Sequence, residues 1–249
     1  MQMGLIEFVQ NVRMNHTVLQ AAIIDLDGTM VDTLGDFVVV LAHTLSDMNC
    51  HPIEIARVDR GFIEHTIGKG TEDLLRRSLA HAWGLPDDDP QAIEQIPQAW
   101  AHYKAHYQRL NGQHAAVFPG VREGLQKLKD LGIPLACLTN KPTTFAEQLL
   151  AAKDLRAYFS HVFGGDAFER KKPDPLPLLK ACEALGTLPQ HTLMVGDSGN
   201  DAQAALAAGC PLVLMTYGYN HGEPVEEVPA LAHLTRLTQL DPAWFASSR

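Results

Sequence analysis

The chain has 249 residues, which suits one large domain or one domain that carries a smaller inserted one. Its net charge of -9 argues against sequence-independent nucleic-acid binding, which needs a basic face. No apolar run approaches the length of a membrane-spanning helix. The four cysteines are widely spread and form no CxxC pair, which disfavours a disulfide framework or a zinc site and favours a reducing cytoplasm.

The chain starts with a stretch, residues 1–13, that precedes the first strong structural pattern. It carries Glu7 and lacks an uninterrupted apolar core, so it is a poor secretory signal. Met14 lies just before the first predicted strand. We therefore interpret residues 1–13 as a peripheral extension or as the product of an upstream start codon.

The first predicted strand is a nearly continuous apolar run from Val18 to Ile24. A run without alternation indicates a strand buried on both faces of a parallel sheet. From Pro119 onward, helical and strand patterns alternate. Helices are predicted at 121–131, 143–155, 176–185 and 201–208, and strands at 133–138, 161–163, 192–195 and 212–216. This order predicts a Rossmann-like, doubly wound parallel sheet with an α/β architecture.

The segment between residues 36 and 115 does not keep that alternation. Its apolar spacing predicts helices at 37–48, 71–83 and 91–110, with no convincing strand between them. We therefore predict an α/β core formed by residues 1–35 and 116–249, with residues 36–115 inserted as a small all-helical cap.

Polar side chains gather where the predicted strands end or just beyond. They are Asp25 and Asp27, then Thr139, Asn140 and Lys141, then Lys171 and Lys172, and finally Asp197 and Asp201. Ligands of an open parallel sheet bind at the carboxyl ends of its strands, so these residues are expected to share one cleft. Four carboxylates would repel one another unless a cation lay between them. Oxygen ligands beside a phosphate suit Mg²⁺.

The residue types also indicate a reaction. Asp25 and Asp27 are two positions apart, so both can face the cleft. One can be a nucleophile that forms an aspartyl phosphate, and the other can protonate the leaving alcohol and then activate water. Thr139, the backbone N–H groups after it and Lys172 can hold the phosphoryl oxygens.

Four ordered segments resemble the haloacid-dehalogenase superfamily of phosphatases: DLDGTMVDT from Asp25, LTN ending at Asn140, KKPDP from Lys171, and GDSGND from Gly196. The resemblance implies that Asp25 is the nucleophile and Asp27 the general acid and base. It implies that Thr139 and Lys172 bind and neutralise the phosphoryl group, and Asn140 is predicted with them as a substrate-binding residue. It also implies that Mg²⁺ is held by the carboxylates of Asp25 and Asp197 and by the main-chain carbonyl of Asp27, with Asp201 in support.

The inserted segment is similar to the cap of the phosphoglycolate phosphatase group, as are residues 67–70 and 216–224. This implies hydrolysis of 2-phosphoglycolate to glycolate and phosphate. In the cap, Gly68 and Gly70 would let the backbone approach a ligand, and the helix that follows favours an anion. Lys69 could add a cation for the substrate carboxylate; the alternative is a solvated turn with Lys69 directed to water.

Other functions share the same residues. A sugar phosphomutase, or another small-metabolite phosphatase, would use the same Asp25 and Asp27. A metal-free dehalogenase would have no use for Asp197 and Asp201. A receiver-like signalling module is disfavoured by the second aspartate and the cap. We expect a small phosphorylated metabolite as the partner, no nucleic acid or membrane, and a monomer or homodimer.

Overall fold

The computed structural model describes residues 18–245, so the N-terminal extension, residues 1–13, lies outside the described residues. The strands are β1 (Ala21–Ile24), β2 (Val31–Asp32), β3 (Ala116–Val117), β4 (Leu135–Leu138), β5 (His161–Phe163), β6 (Thr192–Gly196), β7 (Leu212–Met215) and β8 (Ala232–Leu234). Six of them form a sheet in the order β5–β4–β1–β6–β7–β8, and every neighbouring pair is parallel. The predicted doubly wound parallel sheet is therefore confirmed.

Ten α-helices accompany these strands within the described residues. They are α1 (Leu34–Asp47), α2 (Pro52–Arg57), α3 (Arg60–Glu64), α4 (Thr71–Trp83), α5 (Pro90–Glu94), α6 (Ile96–Leu110), α7 (Val121–Asp130), α8 (Thr143–Ala152), α9 (Leu176–Leu185) and α10 (Gly199–Ala208). Between residues 18 and 245, no helix is long and apolar enough to span a membrane.

The central strand β1 is buried on both faces. Ala22 and Ile24 belong to a hydrophobic cluster with Leu149 of α8, whereas Ile23 belongs to a second cluster with Leu178 of α9. Successive side chains of a strand point to opposite faces, so the two clusters mark the two sides of the sheet. This explains why the apolar run of β1 shows no polar alternation.

The strand order places a crevice beside β1. After β1 the chain continues to β4 and β5 on one side, and it then returns to β6 on the other side. Ile24, at the end of β1, lies opposite Cys137 of β4 and Val195 of β6. The carboxyl ends of these three strands therefore flank the reversal point at which such sheets bind ligands.

Helices α1 to α6 enclose a third hydrophobic cluster. It contains Leu41, Leu75 and Tyr103 of the helical segment, together with Phe145 of α8 and Tyr219 of the loop after β7. The helical segment thus has its own core and also packs against the sheet domain near the crevice. From this separation we propose the division into a core of residues 1–35 and 116–249 and a cap of residues 36–115.

Several predicted elements differ from the structure in their bounds, and one of them is divided in two. The helix predicted over 91–110 is divided into α5 and α6 at Gln95. Pro97 lies in the first turn of α6, and proline lacks an N–H and clashes with the carbonyl four residues earlier, so one helix cannot continue through it. The first strand begins at Ala21 and not at Val18, although Leu19 makes an isolated bridge to Phe245.

The sequence patterns also missed several short elements. Strands β2 and β3 pair as an antiparallel ribbon, with Val31 opposite Val117, and this ribbon joins the sheet domain to the helical segment. Two-residue strands are too short to show a period, and the same holds for the three residues of β8. Helices α2 and α3, of six and five residues, escape detection for the same reason.

Candidate active site

The first part of the site is the turn that follows β1. Asp25 and Asp27 lie in this turn, and the Asp25 N–H donates to the Val195 carbonyl at 2.9 Å. Gly28 has φ 83°, and a Cβ on it would lie 2.2 Å from Asp197 Oδ2. Only glycine therefore permits this turn to approach the loop after β6, which explains the glycine directly after the second aspartate.

The loop after β6 is ordered by the start of α10. Ser198 is the N-cap residue, and Asp201 completes a capping box with it. Asp201 Oδ2 accepts hydrogen bonds from the Ser198 hydroxyl at 2.8 Å and from the Asp197 N–H at 3.2 Å. The Asp197 carboxylate in turn accepts from the Thr29 hydroxyl and from the Tyr219 N–H. Both carboxylates are thus fixed by neighbouring donors.

Lys172 brings these loops together. Its buried Nζ lies 2.9 Å from Asp25 Oδ1 and 2.6 Å from Asp201 Oδ1, and it donates to the Leu138 carbonyl at 3.0 Å. Burial raises the pKa of Asp25 to about 7, although Lys172 opposes this effect. Burial, followed by the charges of Asp201 and Asp25, raises the pKa of Asp197. Burial lowers the pKa of Lys172, but Asp201 and Asp25 raise it by more.

The acidic cluster has the composition of a divalent cation site. One carboxylate oxygen from each of Asp25, Asp197 and Asp201 lies within 4.8 Å of the others, and all three residues are buried. Three carboxylates against the one ammonium of Lys172 leave two excess negative charges. Such an all-oxygen set suits a hard cation, and an Mg²⁺ ion would balance the charge. Both Asp201 oxygens already accept hydrogen bonds, which favours a supporting role for this residue.

Thr139 and Asn140 lie in the loop after β4. Thr139 is buried, and its hydroxyl oxygen accepts from the Lys141 N–H at 3.2 Å, so its proton is left for another acceptor. Asn140 Nδ2 donates to the Gly68 carbonyl of the helical segment and to the Lys172 carbonyl, each at 2.8 Å. Asn140 therefore joins the predicted cap to the loop that carries Lys172.

Of the residues in the predicted cap turn, the two glycines line the cavity and the lysine does not. Gly68 and Gly70, with φ of 110° and 97°, line the cavity above Asp25. Thr71, the first residue of α4, lines it as well. Lys69 is exposed and does not belong to the lining, so the structure does not bring this cation to the site.

The cavity itself has a volume of about 40 Å³. Its helical wall is apolar and consists of Phe37, Ile67, Leu74 and Tyr103, with Phe145 beside them. The opposite wall is polar and consists of Asp25, Asp27, Thr139, Asn140, Lys141, Lys172, Asp197 and Ser198. A buried water needs roughly 10–15 Å³ measured in this way, so the cavity has room for about three or four water-sized groups, which is about the size of a phosphoryl group.

The sequence interpretation gave Lys141 no role, although the residue directly follows Asn140 at a strand end. Its Nζ donates to both oxygens of Asp27, at 2.8 and 3.0 Å. It also lies 4.7 Å from the ring centroid of Phe37 and 4.9 Å from that of Tyr107. Lys141 is buried and lines the cavity, so it is part of the site.

Comparisons with known proteins show the family to which the chain belongs. Residues 22–215 match the family model described as haloacid dehalogenase-like hydrolase. The crystal structure of a predicted phosphoglycolate phosphatase from Haemophilus somnus 129pt has a TM-score of 0.79 and 28% identity, with 88% of this chain and 95% of that chain covered. The chain therefore belongs to the haloacid dehalogenase-like hydrolases, and the family identified from the four motifs is confirmed.

Relatives of similar sequence show which group of that family the chain resembles. The chain is 40% identical over 222 residues to the phosphoglycolate phosphatase of Thiobacillus denitrificans, covering 86% of this chain and 93% of that protein. It is 41% identical over 227 residues to the phosphoglycolate phosphatase of Nitrosospira multiformis, covering 89% and 96%. The chain is a phosphoglycolate phosphatase-like hydrolase.

We expect Asn140→Ala to lower kcat/KM by roughly tenfold, since the contacts from Asn140 to Gly68 and to the Lys172 loop would be lost. Steady-state kinetics with a small phosphomonoester would measure the change. Gln113→Ala is the matched control, because it removes an amide-to-carbonyl bond at 2.8 Å, to Arg109, on the exposed surface. Equal kcat/KM for Asn140→Ala and the control would contradict the prediction.

Proposed function

We propose that this chain is a Mg²⁺-dependent phosphatase that hydrolyses 2-phosphoglycolate to glycolate and phosphate through an aspartyl phosphate on Asp25. The observation that carries the proposal is the buried group of Asp25, Asp197, Asp201 and Lys172, of which all but Asp201 line a small cavity. The three carboxylates supply oxygen atoms and negative charge for a divalent cation, and the ammonium of Lys172 supplies positive charge for a phosphoryl group.

The proposed reaction has two displacements. In the first, a carboxylate oxygen of Asp25 bonds to phosphorus while the ester bond breaks, and Asp27 protonates the departing oxygen. In the second, Asp27 takes a proton from water, which attacks the same phosphorus and releases phosphate from Asp25. Lys172 and Thr139 would bind the phosphoryl oxygens throughout, and Asn140 would hold their loops in place.

The residues present fit the metal that this chemistry needs. The carboxylates of Asp25 and Asp197 and the main-chain carbonyl of Asp27 would hold Mg²⁺, with Asp201 fixing Asp197 and Lys172. The bound ion would neutralise part of the phosphoryl charge as the bonds change.

The cavity supports a small leaving group. At about 40 Å³ the cavity has little room beyond a phosphoryl group, so a short leaving group such as glycolate needs less rearrangement of the wall than a hexose ring. This favours the phosphatase over a sugar phosphomutase. The relatives named phosphoglycolate phosphatase, at 40% and 41% identity, support the same substrate. We place the reaction in the cytoplasm, which agrees with the four free, buried cysteines.

We expect hydrolysis of 2-phosphoglycolate to stop on exhaustive chelation and to return with Mg²⁺ but not with Ca²⁺. Calcium accepts more ligands in a looser geometry and would engage both oxygens of Asp25, which would spoil its in-line attack. Phosphate release is the first measurement. The second is thermal unfolding, in which Mg²⁺ should raise the Tm of the wild type but not that of Asp197→Asn.

The outcomes separate the parts of this proposal. An undiminished rate after chelation would remove the metal from the mechanism. Hydrolysis of other small phosphomonoesters with Mg²⁺, but not of 2-phosphoglycolate, would keep the mechanism and replace the substrate.

A further inference from the structure

We propose that Lys141 binds the carboxylate of the leaving group, so that the enzyme selects phosphate esters with an anionic group one carbon away from the ester oxygen. This inference rests on the proposed phosphatase activity and assigns its substrate selectivity to a residue outside the four motifs. It also replaces Lys69, which is exposed, as the candidate cation for the carboxylate.

The ammonium group of Lys141 is well placed for this role. Lys141 follows β4, and its side chain reaches Asp27, to which it donates at 2.8 and 3.0 Å. The rings of Phe37 in α1 and Tyr107 in α6 lie within 5 Å of Nζ on the other side, at 4.7 and 4.9 Å. The ammonium therefore lies between the predicted acid and the helical segment, where the leaving group must be.

The cationic side chains around the cavity lie on different sides of it. Among the described residues that line it, the cationic side chains are Lys141 and Lys172. Lys172 contacts Asp25 and Asp201, on the side of the phosphoryl group. The wall beyond Lys141 is apolar and aromatic. A carboxylate buried against that wall would be costly without a charged partner, and Lys141 is the partner within reach.

The length of 2-phosphoglycolate also fits a carboxylate contact with Lys141. Asp27 can protonate the ester oxygen only from hydrogen-bonding distance, about 2.6–3.2 Å. In 2-phosphoglycolate a single methylene separates that oxygen from the carboxylate. Since Lys141 Nζ is itself at hydrogen-bonding distance from Asp27, a carboxylate one methylene away comes within its reach. The two hydrogen bonds found for Nζ both go to Asp27, which leaves the third ammonium proton for this acceptor.

The experiment compares two esters that differ in the carboxylate. Ethyl phosphate has a methyl group where 2-phosphoglycolate has the carboxylate, so the ratio of their kcat/KM values isolates its recognition. Lys141→Met should lower that ratio by roughly ten- to a hundredfold, the usual effect of losing a charge-assisted hydrogen bond. Both substrates will also lose rate because Asp27 loses its partner, but this loss cancels in the ratio.

The matched control is Lys104→Met. Lys104 lies in α6, is exposed, and carries the same charge, so its replacement should leave the ratio unchanged. Circular dichroism and Tm would show that each variant is folded. Should Lys141→Met fail to fold, Lys141→Arg keeps the positive charge beside Asp27 and should fold. It should shift the same ratio by a smaller factor, because a guanidinium retains the charge but not the geometry of an ammonium.

Binding gives a second readout that does not depend on turnover. In the Asp25→Asn background, adding Lys141→Met should weaken the Kd of 2-phosphoglycolate at least tenfold more than that of ethyl phosphate. An unchanged ratio of kcat/KM, or a ratio that responds to Lys69→Met in place of Lys141→Met, would overturn the inference. A wild type that hydrolyses ethyl phosphate but not 2-phosphoglycolate would overturn the proposed substrate as well, and it would do so before any variant is tested.

Discussion

Asp25→Asn is expected to lower phosphate release by about 10⁴-fold or more, because an amide is not a nucleophile and cannot accept the phosphoryl group. The replacement has nearly the same shape, so the main-chain hydrogen bond to Val195 should remain. Acid-quenched wild-type enzyme should carry a phosphoryl group on Asp25 during turnover, and the variant should carry none. Phosphate release and mass spectrometry of the quenched protein measure both effects.

The control for this substitution is Asp130→Asn, which makes the same chemical change at the exposed end of α7. It should retain the wild-type rate. Turnover by Asp25→Asn at the control's rate would remove covalent catalysis by this residue from the mechanism.

Lys172→Met should be the most damaging single change for stability, and it should lower activity as well. Lys172 is 3% exposed and contacts Asp25 and Asp201, so its loss would leave buried carboxylates without a partner. Breaking such a pair typically lowers the free energy of unfolding by about 3–5 kcal/mol. We also expect kcat/KM to fall by roughly 10³-fold, since a charge that stabilises the transition state is gone. Urea unfolding without Mg²⁺ and steady-state kinetics measure the two effects.

Lys171→Met is the neighbouring control, because Lys171 is exposed and is not among the residues that line the cavity. Added Mg²⁺ should restore part of the stability of Lys172→Met by supplying positive charge to the same carboxylates. If the two variants unfolded at the same urea concentration without Mg²⁺, the buried ion pairs would not have the stabilising role assigned to them.

Much of the sheet domain could be predicted because its elements carry strong local signals. The bounds predicted for α9 and β5 agree with the structure, because a glycine stops the helix and Ser160 and Gly164 flank the strand. In the helical segment the bounds of α4 agree as well, because a glycine stops it. The two-stranded ribbon was not predictable, because its strands pair across more than eighty positions and are too short for a pattern. The break in the long cap helix is marked by Pro97, whereas the apolar spacing alone continues through it.

In the site, too, some residues could be predicted from local sequence signals and others could not. Asp25, Asp197 and Lys172 could be brought together from the sequence, because parallel strands align their carboxyl ends. Which lysine, Lys69 or Lys141, lies nearer the substrate carboxylate could not be predicted, because this depends on how the helical segment lies over the sheet. Phe37 and Tyr107, which contact Lys141, come from distant helices, and no local pattern connects them to the loop after β4.

The ribbon of β2 and β3 has an evolutionary consequence. It carries the chain into the helical segment and back at a single place, with Val31 beside Val117, and it adds no strand to the six-stranded sheet. An insertion of different length or sequence at this junction would leave the register of the sheet intact. Recognition of the leaving group and transfer of the phosphoryl group can therefore diverge at separate rates within one lineage, each through changes to its own part of the chain.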